Sequence, residues 1–297
     1  MSHSSICQIC GGKEFTLLFE CTDHLVSHRQ FPVEKCRRCG FTITGNAPGP
    51  DVIGSYYESP DYISHTGGEK TIADIMYGFA RTIMLGTKAR KVRRLTKLRT
   101  GSILDIGAGT GYFVKKLRSV GWQATGVEVS ETARDYALDK NGVELLGSLS
   151  EGKFSPGQFD AVTLWHVLEH IHDTEELLMN ISKFIKPGGT LLLALPNSLS
   201  ADARFYREHW AAYDVPRHLW HFDRKSINTL VTRHGFDFIE SLRMPFDSFY
   251  ISILSEKSRN CKYPLIAGML RGSLFWLWSL LIKERSSSLL FVFRKTP

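Results

Sequence analysis

Apolar positions along the chain fall into two regimes that change near residue 101. Beyond it, short uninterrupted apolar runs alternate with longer stretches in which apolar residues recur every three or four positions. The runs at 103–106, 124–129, 159–165 and 190–195 predict strands. The stretches at 111–120, 131–140 and 174–185 predict helices between them, and 143–146 predicts a weak further strand. Strands apolar on both faces and joined by amphipathic helices imply a parallel sheet covered on both sides. Right-handed crossovers then make it a doubly wound α/β sandwich. A helix at 224–234 and strands at 236–243 and 288–294 follow, separated by inserts at 197–223 and 244–287.

Before residue 101 the pattern is different. Residues 1–45 are turn-rich and carry five of the six cysteines, and read as a small separate module. Residues 46–80 read as a linker and lid segment, with Tyr56, Tyr57 and Tyr62 among prolines and glycines. The main domain covers 81–297. Residues 71–99 predict a helix that ends in a basic stretch including Lys88, Lys91 and Arg94. Such a stretch is read as a solvated helix face, with a phosphate- or membrane-facing patch as the alternative.

Composition narrows the class. The chain has 297 residues, of which 43% are hydrophobic and 23% charged, which excludes wholesale disorder. A net charge of +7 permits an acidic, phosphorylated or membrane-surface partner without requiring one. Cysteines in two tight pairs differ from a disulfide-dense secreted scaffold. The N-terminus shows no basic stretch followed by an apolar one, so a cytoplasmic location is expected.

The first strand of the main domain runs into Leu104-Asp105-Ile106-Gly107-Ala108-Gly109-Thr110-Gly111-Tyr112. Glycines here allow a sharp strand-to-helix turn and a close approach of ligand to backbone, at a helix N-terminus with free N–H groups. Glu128 ends the next strand, where a carboxylate accepts hydrogen bonds from both hydroxyls of a ribose. Asp105, two residues before the first glycine, is placed to meet a ligand amino group directly or through water. With the segments 104–111, 127–128, 159–165 and 186–192, the chain resembles the class I S-adenosylmethionine-dependent methyltransferases over roughly residues 80–243 and the final strand. The resemblance implies a seven-stranded, mostly parallel sheet whose last strand is antiparallel. It also implies a cofactor site formed by Asp105, Gly107, Gly109, Gly111, Glu128 and Trp165.

Cys7-x2-Cys10 and Cys36-x2-Cys39 form two matched pairs, each followed by glycine. Four thiolates so spaced suit a closed, structural tetrahedral zinc site, with two redox pairs or four unrelated cysteines as alternatives. A zinc ribbon before this core resembles the deoxysugar C-methyltransferases, through Cys36-Arg37-Arg38-Cys39-Gly40-Phe41 and Tyr56-Tyr57-Glu58-Ser59.

The strand at 159–165 ends in His166-Val167-Leu168-Glu169-His170, at the sheet edge where ligands of such folds are met. The segment resembles the metal-holding Glu-x-x-Glu-His segment of ubiquinone-pathway and small-RNA O-methyltransferases, with His166 in place of the first acid. Three roles stay open for it: metal ligation, base catalysis, and bracing of the following helix. A second polar, aromatic cluster spans 210–222. It reads as a lid in which His218 and His221 point inward and Arg217 meets a carboxylate or phosphate. His166 or His221 is the expected general base, and at an ordinary pKa of ~6.5 activity would rise through that pH. The apolar stretch 264–282, edged by cations, reads equally as a membrane-surface contact, a lipid channel wall, or a helix buried against the sheet or a dimer partner.

The expected function is methyl transfer from S-adenosylmethionine to an oxygen or carbon of a small or lipid-linked metabolite. The location would be cytoplasmic or peripheral to the inner face of a membrane. The alternatives are an RNA or protein methyltransferase gripping its polymer through the ribbon, with nucleic acid the weaker partner, and a non-catalytic cofactor-binding module.

Overall fold

The computed structural model describes residues 6–57 and 72–297, with side chains in the helix that begins at residue 72 described from Arg81 onward. Two sheets organise these residues. The N-terminal sheet contains β1 (Phe15–Thr22), β2 (Gln30–Cys36) and β3 (Thr42–Thr44), followed by the short helix α1 (Pro50–Ile53). The long helix α2 (Ile72–Thr96) leads into the main sheet. There β4 (Ser102–Ile106), α3 (Tyr112–Ser119), β5 (Gln123–Val127), α4 (Glu131–Asn141), β6 (Phe159–Trp165), α5 (Thr174–Phe184) and β7 (Ile185–Pro196) alternate as the pattern predicts. The first insert holds α6 (Ala201–Tyr206) and β8 (Trp220–His221). After α7 (Arg224–Thr232) and β9 (Phe236–Arg243), the second insert is a helical hairpin, α8 (Asp247–Ser258) and α9 (Pro264–Leu281). β10 (Ser288–Lys295) closes the sheet.

The main sheet has the order β5-β4-β6-β7-β10-β9. Neighbours from β5 to β7 are parallel, and β10 runs antiparallel to both β7 and β9. Alternation along the strands separates two cores. Leu104, Val162, Leu191 and Phe291 face α5 and α7, while Ile103, Ala161, Leu192 and Leu290 face α2, α3 and α4. Burial of such side chains contributes ~1.5–3 kcal/mol each, which makes these two layers the main source of stability. The expected strand at 143–146 is reduced to one parallel bridge, Val127 to Leu146, so among the described residues the main sheet has six full strands rather than seven. Gly142 ends α4 in a left-handed cap, and Gly147 bounds the segment on its other side at this open edge.

The N-terminal sheet has the order β1-β2-β3-β8, so its fourth strand comes from the first insert. Cys7, Ile9, Cys36, Phe41 and Ile43 share one continuous core with Phe222, Ile227 and the main-sheet leucines. A boundary at residue 45 therefore cuts across a sheet and a core rather than between two self-contained units. Glu58, Ser59 and Tyr62 lie outside the described residues.

Candidate active site

The glycine loop sits where β4 and β5 end. The N–H groups of Gly107 and Ala108 both donate to Val127 O, at 2.8 and 3.0 Å. Gly107, Gly109 and Gly111 all have positive φ, +72°, +53° and +74°, but their surroundings differ. A Cβ on Gly107 would lie 2.3 Å from Val167 Cγ2, and one on Gly111 3.0 Å from Ala137 Cβ. One on Gly109 would meet nothing within 4 Å. The outer two glycines let the protein pack against itself, and the middle one leaves the backbone open to a ligand. Glu128 accepts hydrogen bonds from Gly109 N (2.8 Å) and Ser130 N (2.9 Å), which holds its carboxylate at the rim of that opening.

Asp105 lies beneath the loop, almost fully enclosed, and accepts a 2.6 Å hydrogen bond from Thr163. Burial raises its carboxyl to about 7 despite that bond and the nearby Lys88. Its remaining surface leaves little room for direct contact with a ligand amino group. Lys88 leaves the solvated row expected for the basic stretch. Its Nζ lies 4.3 Å from the centre of the Trp165 ring and 5.8 Å from that of Phe113. Burial lowers its pKa, opposed by the charges of Asp105 and Asp247. The signal was present in the sequence: Leu85, Lys88, Ala89, Val92 and Leu95 follow helical spacing, which puts Lys88 on the inward stripe.

At the end of β6, His166 adopts a left-handed backbone (φ +56°), a conformation that a residue of this type keeps where surrounding contacts impose it. Its Nε2 lies 3.2 Å from Asp247 Oδ2, and its Nδ1 3.6 Å from Glu169 Oε1. About a third of the side chain stays open, 34% by exposure, so an incoming molecule can reach it. Burial works against protonation, but the two carboxylates outweigh it and raise the pKa to about 9. A rise of activity through pH 6.5 is therefore the wrong expectation for this histidine. Asp247, in the first turn of α8, is brought here from 81 positions away, and nothing in the local pattern marked it.

His166 and His170 do not share a helix face, because the left-handed residue turns the chain before the short 3-10 turn Leu168–His170. His170 joins Glu169 and His218 instead: one ligand atom from each lies within 4.8 Å of the others. Glu169 is buried, and neither carboxylate oxygen receives a hydrogen bond. Nδ1 of His170 lies 3.1 Å from Arg217 O and Nδ1 of His218 lies 2.8 Å from Ala212 O. These contacts, with Tyr57 OH 2.9 Å from the same His170 nitrogen, orient the two rings toward Glu169. Burial lowers the His170 pKa to about 4, so its ring is neutral. A divalent cation fits this donor set, with His218 rather than His166 as the third ligand, and would polarise an acceptor oxygen.

Residues 80–241 match the family described as "Methyltransferase domain", more than half of the chain. The chain belongs to this family. The ubiquinone biosynthesis O-methyltransferase of Thiobacillus denitrificans is 30% identical over 111 residues, 35% of this chain and 47% of that protein. The Rickettsia akari protein of the same name is 32% identical over 110 residues, 35% and 43% respectively. The chain thus spans less than half the length of these curated relatives. Among solved structures, phosphoethanolamine N-methyltransferase 2 of Haemonchus contortus, in complex with S-adenosyl-L-methionine, superposes with a TM-score of 0.50. It has 22% identity and covers 71% of this chain and 53% of that one, a likeness of fold.

The four N-terminal cysteines of this chain also converge. Their Sγ atoms lie within 4.8 Å of one another and none is in a disulfide. Cys7–Cys39 and Cys10–Cys36 are separated by 3.5 and 3.6 Å, close to the ~3.8 Å edge of a tetrahedron built on ~2.3 Å zinc–sulfur bonds. Gly11 and Gly40, both at positive φ, turn each knuckle. The residues fit a structural zinc ion.

The segment 210–222 is not a free lid. Arg217 is buried and its guanidinium binds Asp214, Asp23 and Tyr56 O, so it is unavailable to a substrate carboxylate or phosphate. His221 is also enclosed, with Nε2 3.0 Å from Thr44 Oγ1 and its ring against Tyr213. Burial lowers its pKa to about 3. No acceptor reaches it, which corrects its reading as a general base.

Proposed function

We propose that the protein transfers a methyl group from S-adenosylmethionine to an oxygen nucleophile of a small or lipid-linked metabolite. The observation that carries this reading is that the glycine loop lies beside the residues that flank the Asp247–His166–Glu169 group. Val167, the residue after His166, packs on Gly107 of the loop. The cofactor supplies an electrophilic methyl on a sulfonium. The carbon–sulfur bond breaks as the carbon–oxygen bond forms, and the acceptor's proton must go elsewhere. Gly109 and Glu128 would hold the nucleoside end of the cofactor. Asp247 anchors Nε2 of His166, and Nδ1, the nitrogen with the longer contact, takes the proton. With its pKa raised to about 9, His166 is a stronger proton acceptor than an ordinary imidazole and has a smaller neutral fraction at pH 7. Glu169, His170 and His218 would hold a divalent cation against the same oxygen. A lipid-linked acceptor goes with a location peripheral to the cytoplasmic face of a membrane.

The test is transfer of labelled methyl to phenols and quinols, to a lipid extract and to RNA, with S-adenosylmethionine affinity measured separately by calorimetry. Label in the phenols or the lipid extract is expected. Label confined to RNA, lost steeply with salt, would overturn the acceptor class. Tighter binding of a nicotinamide dinucleotide would overturn the cofactor.

A further inference from the structure

The second insert presents an apolar surface that the catalytic reading does not use. Its helices pack on each other through Gly268 and Gly272, where a Cβ would lie 2.5 Å from Ile253 Cα and 2.8 Å from Phe249 Cα. That close contact defines the inner face of α9. On the opposite face Ile266, Leu270, Leu274, Leu277 and Leu281 follow one another at intervals of four, four, three and four residues, and each is 50–84% exposed. No aspartate or glutamate occurs in α9; Arg259, 3.9 Å from Glu256, and Lys262 precede it, and Lys283 and Arg285 follow it on either side of Glu284, which pairs with Arg224.

We infer that the α8–α9 hairpin is a docking face for an anionic lipid bilayer, lying in the interface without crossing it. The inference rests on the lipid-linked reading of the acceptor and deepens it. Three observations choose this occupant. First, α9 is long and apolar enough to cross a membrane by length and composition. The hairpin nevertheless starts from β9 and returns to its neighbour β10, so both ends stay on one side. Second, a stripe with cations at both ends suits anionic headgroups, whereas a second copy laid on it would set cations against cations in either direction. Third, α8 begins with Asp247, which holds His166, and Phe246 beside it is exposed. The element that touches the bilayer therefore carries one wall of the site, and a lipid-linked acceptor would reach the methyl donor without leaving the membrane surface.

Co-sedimentation of the full chain with phosphatidylcholine vesicles, with and without phosphatidylglycerol, tests the inference. Wild type is expected to sediment with the anionic vesicles, less so as salt rises, and to show a blue shift of tryptophan emission from Trp276 and Trp278. Leu274→Glu with Leu277→Glu should weaken partition about tenfold or more. Lys262→Glu with Lys283→Glu should remove the preference for anionic lipid. Both variants should keep wild-type S-adenosylmethionine affinity. Wild type that ignores vesicles while binding the cofactor normally overturns the docking face and leaves the methyltransferase reading standing. Loss of cofactor binding in wild type would sink that reading separately. A wild-type dimer that the leucine variant dissociates, seen by ultracentrifugation, would assign the face to a second copy and overturn the inference.

Discussion

His166 carries the sharpest test at the scale of single residues. Because Asp247 and Glu169 raise its pKa to about 9, the neutral form able to accept a proton is a minor species at pH 7. In chelator-treated enzyme with chemistry rate-limiting, turnover should climb about tenfold per pH unit from 7 to 8 and level off above about 9. His166→Gln should lower turnover ~10²–10⁴-fold and flatten that profile, with cofactor affinity retained. A wild-type profile already flat above pH 7 would show that His166 is not the base. The glycines give a second contrast. Gly109→Val places a side chain in the open space left for the ligand, so calorimetry should show cofactor affinity reduced more than tenfold, beside a backbone strain of ~1–2 kcal/mol. Gly107→Ala instead collides with Val167 and should appear chiefly as a lower melting temperature.

Between elements, the joint of ribbon and insert is the feature with most at stake. Arg217 and Asp23 are both buried, and the guanidinium bridges the turn after β1 to the stretch before β8. Asp23→Ala leaves that charge with Asp214 as its remaining acid, and should cost ~3 kcal/mol, the lower end for a broken buried pair, measured by denaturant unfolding. The cysteine cluster ties the N-terminal sheet to the main core, with Cys7 and Cys36 among Phe41 and Phe222. Metal analysis should find one zinc per chain. Cys36→Ser should lose it and lower the melting temperature, while Cys21→Ser keeps it, since a closed tetrahedral site has no fifth place. Zinc absent from wild type purified under reducing conditions would refute the site.

At the scale of the whole molecule, the ribbon helps to build the site as well as bracing the fold. Tyr57 OH lies 2.9 Å from His170 Nδ1, Thr44 donates to His218 O, and Leu219 N donates to Glu169 O. The candidate cation site thus joins the N-terminal sheet, β6 and the first insert. Chelation should reduce activity and Mn²⁺ or Mg²⁺ should restore it, with S-adenosylmethionine affinity unchanged throughout. His218→Ala should retain cofactor binding and lose the response to added metal. Activity indifferent to chelator and to this substitution would leave Glu169 as a brace for His166.

The sequence by itself determined the alternation of strands and helices, the glycine loop with Glu128, and the cysteine pairs. Each is set by residues close in the chain: periodicity fixes the face, glycine frees the turn, and two-residue spacing shapes the knuckle. The same short-range order also placed His166 at the end of β6. Tertiary structure decided which side chains meet there. Asp247 reaches His166 through a hairpin inserted between two strands, and His218 reaches Glu169 because β8 pairs with β3. Arg217 and His221, polar and aromatic in pattern, were drawn inward by partners on β3 and in the turn after β1. Their burial depends on desolvation and pairing across 177 and 194 positions of sequence, which no local pattern encodes.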